Sequence, residues 1–238
     1  MGSKAAVLLL WLAPFVQDDK AAEEAIERFK ATFNKSPTPD GRASAVSELA
    51  RVPHEKTMKV LIPLLMGDPM PKVREAAAKA LGDFSDYKKA VTPAMIGALS
   101  AGNNAKEPDV RAAILASLGK LKDPIAFDLI HKTFRDESSK VAKAAITATG
   151  TMRQKESLDP LLELLKDVKK WTTKKQSGGY KDDKGQVGDE AAQMGRLGEI
   201  EKAVLAAFQA ITKEKWVTAQ EWEIWWTKRK TAGWEVPK

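Results

Sequence analysis

Between residues 68 and 165 two kinds of apolar stretch alternate along the chain, and both kinds recur. The first runs from Val73 and Arg74 through Ala76, Ala77 and Ala80 to Leu81 and Gly82. It returns as Val110 and Arg111 leading through Ala113, Ile114 and Leu118 to Gly119, and again as Val141 through Ala144, Ala145 and Ala148 to Gly150. Nine residues separate valine from glycine each time, and the glycines follow one another at intervals of 37 and 31 residues. Asp68 and Asp136 each stand five residues before their valine. The second kind of stretch occupies 91–99, 124–134 and 158–165. Self-similarity at such a period predicts stacked helix–turn–helix units. The aspartate or proline at each start serves the unpaired N–H groups of a helix N-terminus. The alanines permit close helix approach, and each glycine is expected to end its helix in the left-handed conformation. A degenerate unit precedes these, with Asp40, Arg42, Val46 and Leu49 followed by an apolar run at 58–65. Pro63 and Pro93 fall inside or near the start of second helices, where proline kinks or begins a helix.

The flanks read differently. Lys4 precedes twelve apolar residues (5–16), which the polar run at 17–20 ends. A basic start with so short an apolar core reads as a signal peptide over 1–16, too short for a stable membrane span. The competing reading is an apolar helix that caps the repeats. In 17–39, Ala22, Ile26, Phe29 and Phe33 share one helical face, and prolines and a glycine then stop the helix, giving an N-terminal cap. Repeats fill 40–170. Residues 171–189 are lysine- and glycine-rich and read as an exposed loop carrying Trp171 and Tyr180. From 190 to 238 come an amphipathic helix and then Trp222, Trp225 and Trp226 at helical spacing, a C-terminal cap.

On the residues of 68–84, 108–120 and 139–150 the chain resembles the HEAT-repeat family, whose units read D-P-x-x-x-V-R-x-x-A-x-x-A-L-G; at the third copy Ala142 replaces the arginine. The resemblance implies an all-α, right-handed, armadillo-like α-solenoid of stacked hairpins with capping helices at both ends. Val73, Arg74, Gly82, Val110, Arg111, Gly119, Val141 and Gly150 are then structural repeat residues. Second helices of this family line a concave groove, which by analogy makes Lys59, Lys89, His131, Lys132 and Arg135 partner-binding candidates, joined by Trp171 and Tyr180 from the loop. The competing reading of all seven is solvated surface. The Trp-rich tail resembles that of exported bacterial HEAT-repeat proteins, with Lys213 standing where those have glycine.

Composition narrows the chemistry. The 238 residues contain no cysteine and two histidines, His54 and His131, which leaves no disulfide, thiol nucleophile, zinc–thiolate site or histidine cluster. No phosphate-binding loop, nucleophile elbow or zinc-protease motif is present, and Asp182, Asp183, Asp189 and Glu190 are out of EF-hand register. Catalytic residues, metal ligands and cofactors are therefore expected to be none. A net charge of +7 permits anionic partners. Lysines alternate with acids, so no basic stripe for a duplex forms and nucleic acid is the disfavoured partner. The expectation is a non-catalytic scaffold that holds a protein or peptide in its groove and is exported to the periplasm or beyond. The alternatives are a cytoplasmic nucleic-acid-binding protein of DNA-glycosylase type and a subunit of a larger assembly.

Overall fold

The computed structural model describes residues 5–176 and 190–237, with side chains described over 19–173 and 192–237. Twelve α-helices and no strand occur among the described residues. They are α1 (Ala5–Lys35), α2 (Pro39–Leu49), α3 (Glu55–Gly67), α4 (Pro71–Leu81), α5 (Lys88–Ser100), α6 (Gly102–Ala105), α7 (Pro108–Leu121), α8 (Phe127–Lys132), α9 (Ser139–Met152), α10 (Leu158–Gln176), α11 (Glu190–Thr212) and α12 (Ala219–Thr231). The chain forms two compact units, residues 1–117 and 118–238.

In the first unit α1 packs on α2 and α3, α2 on α4, and α3 on α5. In the second α9 packs on α11 and α10 on α12. First helices thus stack on first helices and second on second, so each unit is a two-layer stack of hairpins, the arrangement of the α-solenoid class. The pattern behind it is simple. Val73, Val110 and Val141 are fully buried, and around them lie Ala77, Ala78, Ile114, Leu118, Ala142 and Ala145. Prolines open α2, α4 and α7, where a missing N–H costs nothing. The aspartates act just ahead of the helices. Asp68 and Asp136 accept from the N–H groups of Met70 and Ser138 at 2.8 and 3.0 Å. Helix α1 runs unbroken to Lys35, and Ala22, Ala25 and Phe29 form its buried face.

Two expectations are corrected. The loop expected from residue 171 does not begin there, since α10 runs on to Gln176 and Trp171 stands on that helix. The glycines are the second. Gly82 has φ −63°, and Gly119 and Gly150 lie inside α7 and α9, so none of the three is a left-handed cap. They are points of helix contact. A Cβ on Gly119 would lie 2.8 Å from the Cα of Ala148, and one on Gly82 would lie 2.7 Å from Ser117 Oγ. On Gly150 it would come within 3.1 Å of the Cα of Ala207. Among the described residues the left-handed positions are instead Lys122, Arg153, Lys213 and Gly233, at φ 51°, 54°, 69° and 70°.

Gly119→Ala should destabilise by about 1–3 kcal/mol, because backbone rather than a flexible side chain blocks the added methyl. Gly198→Ala, in α11 with nothing within 4 Å of the new Cβ, should stabilise by about 0.5–1 kcal/mol. Urea denaturation midpoints decide both, and a stabilising Gly119→Ala would refute the contact role. Lys213→Gly should add about 1 kcal/mol by relieving a left-handed β-carbon-bearing residue. Thermal unfolding of that variant at or below the parent's midpoint would contradict the strain.

Arg74 ties the first unit together. It is buried, and its Nε donates to Asn104 Oδ1 at 2.7 Å, Nη1 to the Asp68 carbonyl at 2.7 Å and Nη2 to the Asn103 carbonyl at 2.8 Å. The asparagines then donate onward, Asn103 to the Met66 carbonyl at 2.8 Å and Asn104 to those of Ala98 and Leu65 at 3.0 and 3.3 Å. The Leu65 and Met66 carbonyls, orphaned where α3 ends, are thereby satisfied, and that of Ala98, which already accepts the Ala101 N–H, gains a second donor. Arg111, the matching residue of the next copy, is half-buried.

The second unit closes on tryptophans. Trp222, Trp225 and Trp226 are 1%, 8% and 6% exposed, so these rings belong to the core. Trp222 stacks on Phe208 at 4.4 Å between centroids and donates its indole N–H to the Trp216 carbonyl at 3.0 Å. Trp226 donates to Asp159 at the start of α10, and Trp234 in the tail meets Trp225 and Trp226 edge-on at 5.3 and 5.9 Å.

Candidate functional site

Helices α10 and α11 face each other with matching stripes. Leu164, Asp167, Val168 and Trp171 from α10, and Gln193, Arg196, Leu197 and Ile200 from α11, each follow the i, i+3, i+4, i+7 spacing of one helical face. With Phe134 and Arg135 they enclose a cleft of about 520 Å³. Its base is apolar, since Phe134, Leu164, Val168 and Ile200 are buried, and Trp171 stands 44% exposed at its edge.

The charged and amide groups of the cleft are two arginines, Arg135 and Arg196, one carboxylate, Asp167, and Gln193. Arg135 Nη2 donates to Asp167 Oδ2 at 2.6 Å, a pair in which both side chains are about half exposed. Such a pair contributes no more than about 1 kcal/mol, so Arg135 is easily recruited by another anion. Arg196 donates from Nη2 to the Asp136 carbonyl, which leaves most of the five N–H donors of a guanidinium for other acceptors. Elsewhere on α10, Lys169 pairs with Glu201 of α11 at 2.5 Å and Lys166 with Glu223 of α12 at 2.5 Å.

The residues that the sequence suggested as partner contacts are distributed unevenly. Arg135 and Trp171 come together in this cleft. Lys132 ends α8, exposed, three residues before Arg135. His131 is half-buried between Phe127 and Phe134, with ring centroids at 6.1 and 5.3 Å, and its Nε2 lies 3.0 Å from Ser157 Oγ. Burial lowers the pKa of His131 from its ordinary value, with Asp128 opposing, so the ring is neutral at neutral pH. Lys59 and Lys89 belong to the first unit, on α3 and α5; Lys59 pairs with Glu55 at 2.6 Å, and Lys89 is exposed. Tyr180 lies outside the described residues, as do Asp182, Asp183 and Asp189.

Asp167, Gln193 and Arg196 were not singled out by sequence reading. Their signal is the pairing of one helical stripe with another across residues 177–189, which no single periodicity contains. Among the described residues no group of three or more His, Asp or Glu side chains is placed to hold a metal ion. Nor is any described helix long and apolar enough to cross a membrane.

Comparison with known proteins agrees with the packing. The HEAT-repeat family matches residues 26–106 and 97–177, well over half of the 238. No curated protein matches the chain. The matched span begins in α1 and ends just past α10, and so takes in the hairpins α2–α3, α4–α5, α7–α8 and α9–α10. The chain belongs to the HEAT-repeat family.

Proposed function

We propose that this protein is a non-catalytic, exported interaction scaffold that holds its partner in the cleft between α10 and α11. HEAT repeats are interaction folds, and the observation that carries the finer reading is Trp171. A large indole at 44% exposure on the edge of an apolar hollow, beside guanidiniums, has the composition of an interface hot spot. Nucleic acid is the weaker reading. Many lysines among the described residues are engaged by carboxylates, as in Lys72–Asp40, Lys79–Glu75 at 2.5 Å and Lys143–Glu199 at 2.9 Å. Such pairing works against the unbroken basic stripe a duplex requires.

The test is a photo-reactive p-benzoylphenylalanine placed at position 171, and separately at Lys59, in protein expressed in its native cells. A protein adduct at 171 and none at 59 is the expected result. Adducts only at 59 would move the interface to the first unit. The intact mass of the native protein tests export, since a signal peptide over 1–16 predicts a mature form lacking those residues.

A further inference from the structure

The chemistry of the cleft narrows what it can hold. At about 520 Å³ the hollow is of the size that takes one or two large side chains and is too small for a folded domain. What enters is therefore a segment of chain with an anchor. The floor demands that the anchor be apolar: Leu164 and Val168 offer no hydrogen bond, and the indole of Trp171 stands 44% exposed at the edge.

The rim demands something else. Arg135 and Arg196 come from separate elements, the turn Thr133–Arg135 and helix α11, and both line the hollow. The single carboxylate among the lining residues, Asp167, is already bonded to Arg135. In sequence, exposed Lys132 and Lys170 stand near Arg135 and Trp171, and exposed Glu137 follows Arg135 by two residues. Among the neighbouring acids, Glu201 is matched by Lys169 and Glu199 by Lys143. A basic segment would meet like charge here, whereas a carboxylate gains charge-assisted hydrogen bonds from a planar fork of donors.

Resting on the reading of this cleft as the partner site, we infer that its occupant is an acidic peptide segment with one large apolar anchor. The anchor packs against Trp171, and a neighbouring carboxylate bonds to Arg135 and Arg196. A nucleic-acid strand fits less well. It needs a line of unpaired cations to track successive phosphates, and on α10 Lys166 and Lys169 are already in ion pairs.

Isothermal titration of the full chain tests this with three synthetic peptides and a thymidine dodecamer. The first peptide carries Phe-Leu between glutamate flanks, the second the same pair between lysine flanks, and the third the glutamates with Phe-Leu replaced by Ser-Ser. The first should bind with a Kd of about 10–100 µM, and each of the other two at least about tenfold more weakly. Trp171→Ala should weaken the first peptide about tenfold. The double variant Arg135→Ala, Arg196→Ala should erase the preference for acidic over basic flanks while some apolar binding survives. These side chains are exposed or half-exposed, so circular dichroism should show a retained fold.

Equal binding of the first two peptides, indifference to Trp171→Ala, or preference for the dodecamer would each overturn the inference. If a protein still crosslinks at position 171, the cleft remains the partner site and only its acidic specificity fails. If neither peptide nor crosslink is found, both readings fall.

Discussion

Arg74→Met is expected to destabilise the protein by about 3–5 kcal/mol, although methionine fills much of the same volume. The guanidinium is 3% exposed and donates to three acceptors: the Asn104 side chain and the carbonyls of Asp68 and Asn103. Methionine leaves all three without a donor inside the protein, at about 1–3 kcal/mol for each buried unsatisfied group less whatever water recovers. Asn104 is itself fully buried, and its amide orientation is set by Arg74 on one side and Ala98 and Leu65 on the other. Losing the arginine therefore loosens the segment that satisfies the end of α3. A lysine cannot serve three acceptors in one plane, so Arg74→Lys should fall between parent and Met. The partial charge balance from Glu107, at 4.0 Å, is solvent-screened and contributes little. Urea unfolding of both variants is the measurement, and a loss below about 1 kcal/mol for Met would mean that water replaces the guanidinium without difficulty.

Trp222→Ala should cost about as much, some 3–5 kcal/mol, by a different mechanism. Here the loss is packing: an indole stacked at 4.4 Å and 14° on Phe208 and edge-on to Trp225 at 5.7 Å. One hydrogen bond, to the Trp216 carbonyl, goes with it. Helix α12 would keep its tie to α10, because Trp226 and Lys230 both bond to Asp159 at 2.8 and 2.7 Å. Trp222→Phe should thus lose roughly half as much, since a smaller ring still stacks on Phe208. Analytical ultracentrifugation alongside thermal unfolding separates this from an interface role. Unchanged stability with a changed oligomeric state would make the tryptophan cluster an assembly surface instead of a core.

The hairpins were legible in the sequence because their signals are local. Valine, arginine and alanine at helical spacing, with aspartate or proline ahead, mark α4, α7 and α9 wherever those helices happen to pack. The role of the glycines was misread for the opposite reason. Whether Gly119 ends a helix or admits a neighbour depends on Ala148, which lies on another helix. The true left-handed positions, Lys122 and Arg153, carry ordinary side chains and advertise nothing. The same applies to the cleft. Trp171 stood out as an aromatic among lysines, and Arg135 as a charge on a second helix. Arg196 completes the set only because α11 returns alongside α10. Trp234 escaped notice as a tail residue, yet its ring seals the cluster that the helix supplies.

The glycine contacts bear on how such a chain can be inherited and rebuilt. Ser117, opposite Gly82, lies two residues before Gly119; Ala148, opposite Gly119, lies two residues before Gly150. Each close approach is thus shared by consecutive repeats, and neither hairpin owns it. A duplication or transplant with its ends in the loops would separate a glycine from the small residue it was matched to. One cut inside the first helices, from glycine to glycine, carries a complementary edge at each end. Loop length meanwhile varies: the interval from Gly82 to Gly119 contains the short helix α6 and is 37 residues, against 31 for the next. The natural module of this fold is offset by half a repeat from the one that the eye picks out.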